Sequence, residues 1–274
     1  MAARKMLLCL AHPDDESFGM GGTIAKYASA GTEITLVCAT KGEAGTVDDE
    51  FLKGFESIAD LRKQELTCAA GKLGIKKVIY LGYRDSGMAG SKDNQHEQAF
   101  MQAKESVVAA KLGKIFQDVQ PEIVITFDET GGYHHPDHIA IHKATVRAFE
   151  KNDAKFQPDA LYFMARSRKR LRRIVRLMPL LGKNPKKYGR NADIDLTQLV
   201  ADGDTVPHVA IEYSEVLAQK EEADRCHASQ FDGSGSGTNF FTRLIRRVGK
   251  NEDIFTRYLP LAADNYRSRD LFEI

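Results

Sequence analysis

The feature of this 274-residue sequence that most restricts its fold is the alternation of short apolar runs with longer segments of helical spacing. The apolar runs predict strands over residues 5–11, 33–40, 77–83, 122–128 and 161–166. Apolar residues at three-to-four spacing predict helices over residues 17–30, 58–73, 103–119 and 137–151. Because strands that alternate with helices build a parallel sheet covered on both faces, we predict a doubly wound, mainly parallel, Rossmann-like α/β sheet with strand order 3-2-1-4-5.

The regular alternation ends near Arg166, and residues 166–190 then contain eleven Lys or Arg and no acidic residue. We therefore predict a single domain over residues 1–274, with a core at 5–166, a basic insertion at 166–190 and a helical and β-structured appendage at 191–274. Inside the insertion, the pattern predicts an amphipathic helix over residues 171–181. The appendage is predicted to contain helices at 213–231 and 239–248 and a flexible connector at 233–237.

Composition excludes some classes of function and sets the expected compartment. With 39 basic and 38 acidic residues the net charge is +1, so no global field favours nucleic acid or membranes. The first apolar run is about six residues long, too short for a signal peptide or a membrane span, and we expect a cytoplasmic protein. The cysteines show no CxxC pairing, so we expect no disulfide and no cysteine metal site from Cys9, Cys38, Cys68 and Cys226.

Two similar tetrapeptides follow predicted strands, and each opens a predicted helix. His12-Pro-Asp-Asp15 follows the first strand, and His135-Pro-Asp-His138 follows the fourth. Proline suits the first position of a helix, which leaves each preceding histidine at the end of its strand. In the order 3-2-1-4-5 these two strands are neighbours and the winding reverses between them, which is where ligands bind. We therefore expect the two motifs to meet.

The residues of these motifs predict a divalent metal site. The groups that should converge are His12, Asp14, Asp15, His135, Asp137 and His138, with Tyr133 and His134 just upstream. Buried charges without partners cost several kcal/mol each, so a purely structural cluster of this kind is unfavourable. Two imidazoles and a carboxylate bind zinc and leave a fourth position for an acidified water. A carboxylate that does not bind the metal can then act as general base.

Four motifs resemble those of the LmbE-like, PIG-L superfamily of zinc N-deacetylases. They are Ala11-His-Pro-Asp-Asp-Glu16, Arg62-Lys-Gln-Glu65, Tyr83-Arg-Asp-Ser-Gly-Met88 and His135-Pro-Asp-His138, with a weaker similarity at Cys226-His-Ala-Ser-Gln230. The resemblance covers about residues 5–150 and implies a hydrolase that removes an N-acetyl group from an N-acetylglucosamine-type conjugate. It implies a small amidosugar as substrate and no nucleic-acid partner.

By motif position, the resemblance implies that His12, Asp15 and His138 hold one Zn²⁺, with Fe²⁺ and other divalent ions left open. It implies that Asp14 is the general base that takes a proton from the metal-bound water.

Further roles follow from the same resemblance. His135, oriented by Asp137, would stabilise the oxyanion, and Tyr133 would assist it. The residues that would contact sugar hydroxyls are Arg62, Asp85 and Glu43. A surface ion pair of Arg62 with Glu65 and a turn cap by Asp85 stay open as purely structural roles.

His134 departs from the family pattern, and we expect it to face solvent or the substrate entrance. A rival interpretation, a Rossmann dinucleotide enzyme, rests on Gly19, Gly21 and Gly22 after the first strand. We reject it because the turn that should hold a pyrophosphate carries carboxylates, which repel phosphate.

Several competing hypotheses share parts of the same site. An amidase of a sugar–thiol conjugate would use the same zinc centre, and two His with one carboxylate also describe a non-haem iron oxygenase. Residues 166–190 could instead bind acidic lipid or nucleic acid, although they lack the interleaved aromatics that stack on bases. We favour a lid or a subunit contact for this segment, which leaves peripheral membrane contact and a homo-oligomer open.

Overall fold

The computed structural model describes residues 3–151, 156–165, 168–188, 192, 194–202, 205–230 and 251–274. Within these residues the strands form one seven-stranded sheet of order β3-β2-β1-β4-β5-β7-β6. The strands are β1 Lys5–Leu10, β2 Glu33–Cys38, β3 Lys77–Tyr80, β4 Ile123–Thr126, β5 Ala160–Ala165, β6 Val209–Glu212 and β7 Glu252–Leu259. Strands β1 to β5 pair in parallel, which confirms the predicted order 3-2-1-4-5.

Helices cover both faces of the parallel part of the sheet, as its buried strands require. The α-helices are α1 Asp15–Ser29, α2 Ile58–Leu73, α3 Glu105–Val119, α4 Gly131–His134, α5 Pro136–Glu150, α6 Arg168–Leu177, α7 Leu196–Ala201 and α8 Leu217–Cys226. Short 3₁₀ turns occur at Lys92–Gln95, Phe100–Gln102, Pro179–Leu181, Ser214–Val216 and Ala228–Gln230. Every residue of β1 except Lys5 is buried, so this central strand forms the middle of the core.

The appendage adds two antiparallel strands to the edge of the parallel sheet. Strand β7 pairs with β5 on one side and with β6 on the other. Asp253 of β7 also ties this extension to α1, because its carboxylate accepts hydrogen bonds from the backbone N–H and the hydroxyl of Thr23, both at 2.8 Å. The predicted connector at 233–237 and the predicted helix at 239–248 lie outside the described residues.

The expectation that no cysteine forms a disulfide is wrong. Cys68 of α2 and Cys226 at the end of α8 are joined by a disulfide, with their Cα atoms 5.7 Å apart. The sequence could not reveal this pair because 158 positions separate the two residues, and only the packing of α8 against α2 brings them together. Cys9 and Cys38 are free and buried in their strands.

The part of the basic insertion that the structure describes packs beside the carboxyl end of β4. Buried Met178, Leu196 and Leu199 form a small apolar cluster between α6 and α7, and Tyr133 packs against it. His134 Nε2 lies 2.9 Å from Asp202 Oδ2. A lid or a subunit contact stays a prediction for the insertion. No helix in the described ranges combines the length and the apolar character needed to cross a bilayer.

Candidate active site

The first motif forms a tight turn between β1 and α1. The predicted position of Pro13 at the start of the helix is off by two residues, since α1 begins at Asp15 and Asp14 precedes it as the N-cap. Asp14 has φ 113°, a left-handed conformation that residues with a side chain rarely adopt. One carboxylate oxygen of Asp15 accepts the backbone N–H groups of Ala11 at 3.2 Å and His12 at 2.7 Å, which folds its side chain back over the strand end.

The second motif lies between β4 and α5. Pro136 is the first residue of α5, as predicted, and His135 is its N-cap. The ring of His138 stacks on Phe127, with centroids 3.8 Å apart, and its Nδ1 lies 3.0 Å from the carbonyl oxygen of Gly131. Gly131 has φ 63°, and a Cβ there would lie 2.8 Å from the Cβ of His138, so only glycine fits.

The two turns meet at the edge of the sheet. His12 Nδ1 lies 3.1 Å from His138 Nε2, which in turn lies 3.2 Å from Asp15 Oδ1. The remaining distance, from His12 Nδ1 to Asp15 Oδ2, is 3.7 Å. All three side chains are at least nine-tenths buried. The structure therefore brings together the three side chains predicted as metal ligands.

The two facing ring nitrogens fit a metal cation between them. The other nitrogen of His12, Nε2, lies 3.2 Å from a carboxylate oxygen of Asp137, and Nδ1 of His138 faces the Gly131 carbonyl. Both of these partners accept hydrogen bonds, so each ring can carry a proton on its outer nitrogen. In the neutral form of both rings, those outer protons leave lone pairs on the inner nitrogens, which suits a cation between them, and outer-shell acceptors of this kind are typical of metal-bound histidines.

The electrostatics of the cluster also favour a cation. Burial disfavours protonation of His12, but the nearby carboxylates of Asp85, Asp137 and Asp15 outweigh it and raise the pKa of His12 well above its usual value. Burial alone would raise the pKa of the Asp15 carboxyl, yet the charges of His138 and His12 hold that pKa below the usual range. An ionised carboxylate beside two imidazoles is a donor set that zinc accepts.

Two other groups of side chains share His12 and overlap this set. Ligand atoms of His12, His135 and His138 lie within 4.8 Å of one another, as do those of His12, Asp85 and Asp137. The carboxylates of the second group accept backbone N–H groups, as one oxygen of Asp15 does. Ligation by His12, Asp15 and His138 stays a prediction.

Asp85 and Asp137 fix the loop after β3 against the His12 ring. The carboxylate of Asp137 accepts the backbone N–H of Ser86 at 2.9 Å and also its hydroxyl. Asp85 Oδ1 caps its own turn by accepting the N–H of Gly87 at 2.8 Å, and it lies 3.4 Å from His12 Nε2. Glu43 supports this loop because its carboxylate accepts the N–H of Asp85 at 3.1 Å. Sugar contacts by Asp85 and Glu43 stay predictions.

Asp14 lies beside the cluster and is held by Arg62. The buried guanidinium donates to Asp14 Oδ2 at 3.0 Å and to the carbonyl of Pro13, and its Nε lies 3.6 Å from Glu65. Burial raises the pKa of Asp14 to about 6, against the opposing charge of Arg62. A carboxylate with a pKa near the working pH suits a general base. The contact of Arg62 with a sugar hydroxyl stays a prediction, since in the structure its guanidinium serves Asp14.

His135 is placed as a neutral hydrogen-bond donor. Burial, reinforced by the charges of His12 and His138, lowers its pKa well below the usual value. Its Nδ1 accepts the backbone N–H of Asp137 at 3.2 Å, so the ring proton lies on Nε2. Asp137 thus orients His135 through its backbone, while its carboxylate serves His12. The Tyr133 ring lies edge-on to His135, with centroids 5.9 Å apart.

Sequence reasoning missed a buried network on the far side of Asp14. His227 Nε2 lies 2.7 Å from Glu16 Oε1, and both side chains are fully buried. Ser229 donates its backbone N–H and its hydroxyl to the Glu65 carboxylate, both at 2.8 Å. The signal was present in the motifs at 11–16, 62–65 and 226–230, which contain all four residues.

The glycines that suggested a nucleotide site have a packing role. Gly22 faces Tyr213, whose ring carbon would lie 2.1 Å from a Cβ at this position, and Gly21 faces Lys220 of α8. These residues let the segment around α8 approach α1 closely.

Comparison with known proteins agrees with the geometry. The sequence profile of the family described as PIG-L, GlcNAc-PI de-N-acetylase, matches residues 7–149. The 1D-myo-inositol 2-acetamido-2-deoxy-alpha-D-glucopyranoside deacetylase of Acidothermus cellulolyticus is 36% identical over 98% of this chain and 94% of its own length. The solved structure of N,N'-diacetylchitobiose deacetylase from Pyrococcus horikoshii is similar at a TM-score of 0.59 and 23% identity, covering 93% of this chain and 84% of that one.

A likeness of fold does not by itself select the reaction. GalB from Pseudomonas putida, a 4-carboxy-2-hydroxymuconate hydratase, is similar at a TM-score of 0.57 and 19% identity, covering 96% of this chain and 99% of that one. The same fold thus carries chemistry other than deacetylation, and the reaction must be argued from the family match and the residues of the site.

Proposed function

Because this chain belongs to the PIG-L family of GlcNAc-PI de-N-acetylases, we propose that it removes the acetyl group from N-acetylglucosamine joined to inositol. It is an enzyme that hydrolyses an amide bond. The observation that carries the substrate proposal is identity of 36% along nearly the whole length of a deacetylase named for the inositol conjugate. The buried His and Asp cluster at the sheet edge supplies the residues that such a reaction needs.

Enzymes of this family depend on a metal, and we propose zinc, held by His12, Asp15 and His138, whose facing atoms lie 3.1 to 3.7 Å apart. When bound, zinc would polarise the amide carbonyl and make a water acidic enough to serve as nucleophile near neutral pH. The same two histidines and carboxylate could hold Fe²⁺. The hydrolysis exchanges no electrons, so a metal without redox chemistry such as zinc is sufficient for it.

Asp14 is the proposed general base. Its carboxylate lies beside the cluster, and a pKa of about 6 leaves it mostly ionised at neutral pH while it can still accept a proton. It takes a proton from the attacking water as the water oxygen bonds to the acyl carbon. The same proton then passes to the nitrogen as the C–N bond breaks, which releases acetate and the free amine.

His135 is proposed to stabilise the negative charge that develops on the carbonyl oxygen. Its neutral ring carries a proton on Nε2, which makes it a donor that needs no change of protonation during the reaction. Tyr133, packed between the His135 ring and the α6–α7 cluster, is proposed as a second donor. A well-placed donor of this kind contributes about 3 kcal/mol to catalysis.

The test is a comparison of substrates with the zinc-loaded enzyme. N-acetylglucosamine joined to inositol, the malate conjugate and free N-acetylglucosamine would be assayed in parallel for both primary amine and acetate. We expect the inositol conjugate to give the highest kcat/KM and both products in equal amounts. Absence of acetate from all three sugars would contradict the proposal.

A second assay tests the amidase hypothesis. A sugar–thiol conjugate with a longer acyl group would be tested in the same buffer. Faster hydrolysis of this conjugate than of the acetylated sugar would favour the amidase, which would use the same site.

A further inference from the structure

We infer that Glu16 and His227 form a positioning pair that holds Asp14 in the orientation from which it acts as base. This inference rests on the proposed function, because it assigns the pair a role in that reaction. His227 is fully buried, as is Glu16, and their side chains meet at 2.7 Å.

The Glu16 carboxylate joins His227 to the backbone of Asp14. Oε1 accepts from His227 Nε2 at 2.7 Å and from the Ser17 hydroxyl at 2.7 Å, while Oε2 accepts the backbone N–H of Asp14 at 2.9 Å. Asp14 needs such an anchor because its φ of 113° persists only when the surroundings hold it. Glu16, fixed by His227, therefore holds the peptide of Asp14, and Arg62 holds the carboxylate at 3.0 Å.

Glu16, held by His227, contacts the backbone of Asp14, and Arg62 contacts its side chain. The segments that carry His227 and Arg62 are covalently linked. Arg62 belongs to α2, and His227 directly follows Cys226 at the end of α8. The Cys68–Cys226 disulfide joins these segments, and the bonds from Ser229 to Glu65 join them again, each at 2.8 Å. The Glu16–His227 pair is buried, and the segment that carries His227 is linked to the helix that carries Arg62, so both groups that contact Asp14 have fixed positions. A displacement of about 1 Å in a catalytic group lowers the rate by up to about 100-fold. A fixed position for Asp14 therefore matters for the rate of the reaction.

The experiment is a double-mutant cycle between His227 and Asp14, measured on the best substrate of the wild-type enzyme. His227→Ala should lower kcat by about 10- to 100-fold, with KM and metal content unchanged. Added to Asp14→Asn, the same change should have little further effect, because the pair acts through Asp14. An equal loss of kcat on both backgrounds would overturn the inference, as would a loss of metal.

A comparison of two variants at Glu16 separates loss of the Asp14 contact from loss of folding. Glu16→Gln keeps an oxygen that can accept the Asp14 N–H, whereas Glu16→Ala removes it. The buried Nδ1 of His227 has no hydrogen-bond partner in the structure, so a change of tautomer lets the ring accept from the glutamine amide. We expect Glu16→Gln to recover most of the kcat that Glu16→Ala loses. Equal activities of the two variants would contradict the inference.

His208→Ala serves as the matched control for removal of a buried histidine. His208 lies next to β6, and its Nδ1 accepts the backbone N–H of Arg257 at 3.0 Å, far along the sheet from the site. This variant should lose stability but keep kcat. A fall in kcat as large as that of His227→Ala would show a general effect of destabilisation.

A crystal structure of His227→Ala gives a readout that does not depend on activity. We expect the Asp14 carboxylate to shift while His12, Asp15 and His138 keep their places. An unmoved Asp14 would refute the inference even if the enzyme is inactive. If the wild-type enzyme hydrolyses none of the amides, the proposed function fails, and the structure alone decides whether the pair positions Asp14.

Discussion

Asp14 and its neighbour Asp15 have side chains of the same type, and the turn between β1 and α1 directs them to different partners. Asp15 faces the two histidines, while Asp14 faces Arg62. Asp14→Asn should therefore keep the full metal content, because no predicted ligand changes. Its kcat should fall by about 100- to 10,000-fold, since an amide cannot accept the proton of water. Elemental analysis and the acetate assay check the two halves of this prediction, and near-normal turnover would remove Asp14 from the mechanism.

His12 is the one member common to all three possible ligand groups, so its removal should abolish metal binding whichever group is correct. We expect His12→Ala to purify with much less than one zinc per chain and to show no activity. His96→Ala, a change at an exposed loop histidine, is the control and should keep its metal. Full zinc occupancy in the His12 variant would show that the ligand set is wrong.

Single residues were predictable from sequence where the turn itself determines their placement. A histidine that ends a strand and precedes a helix must lie at the carboxyl edge of the sheet, which is why the motifs that begin at His12 and His135 could be expected to meet. The partner of each side-chain atom was not predictable. The Asp137 carboxylate contacts His12 rather than the His135 ring, because the loop after β3 reaches it through Ser86. Such choices depend on neighbours that are distant in sequence.

Among the secondary-structure elements that fall in the described residues, the predicted types agree with the structure and the boundaries differ by a few residues. The strand predicted at 77–83 ends at Tyr80. Leu81 and Tyr83 lie beyond the end of this strand, but their side chains still pack against the core. The helix predicted at 213–231 is α-helical only over Leu217–Cys226, with 3₁₀ turns before and after it. Apolar spacing reports which side chains are buried, and it does not report where backbone hydrogen bonding stops.

The junction of β7 with α1 makes stability depend on pH through Asp253. Burial raises the pKa of this carboxyl from 3.8 to about 6. The folded chain therefore keeps the proton longer than the unfolded chain, so the contribution to stability is complete below about pH 4 and is lost as the pH rises to about 6. A shift of this size corresponds to at most about 3 kcal/mol.

Asp253→Asn should remove that dependence, because the amide oxygen can still accept both bonds from Thr23. Relative to wild type, the variant should gain about 2 kcal/mol of unfolding free energy between about pH 4.5 and pH 8. Urea unfolding at the two pH values measures the difference. An equal effect at both values would show that Asp253 does not titrate in this range.

At the scale of the whole molecule, the sheet order and the meeting of the two motifs were predictable, because connection rules leave few ways to wind five parallel strands. The long-range disulfide was not predictable. It fastens α8 to α2 across 158 positions, and closing a loop of that length in the unfolded chain is costly in entropy. The cytoplasmic location stays a prediction, and a structural disulfide is uncommon in that compartment.

The double variant Cys68→Ser/Cys226→Ser should lose about 2 to 5 kcal/mol of unfolding free energy. Wild type in a thiol reductant should unfold at the same denaturant concentration as this variant in buffer. The variant itself should be insensitive to the reductant, which is the internal control. An unchanged midpoint for reduced wild type would mean that the bridge contributes nothing to stability.

The left-handed backbone of Asp14 implies that thermal stability and turnover favour different residues at position 14. Glycine adopts φ 113° without steric cost, so Asp14→Gly would relax the turn at the moment it deletes the base. Laboratory evolution that selects only for thermal stability should therefore enrich glycine at position 14. The selected variants would be more stable and would still bind the metal, but they would lack catalytic activity.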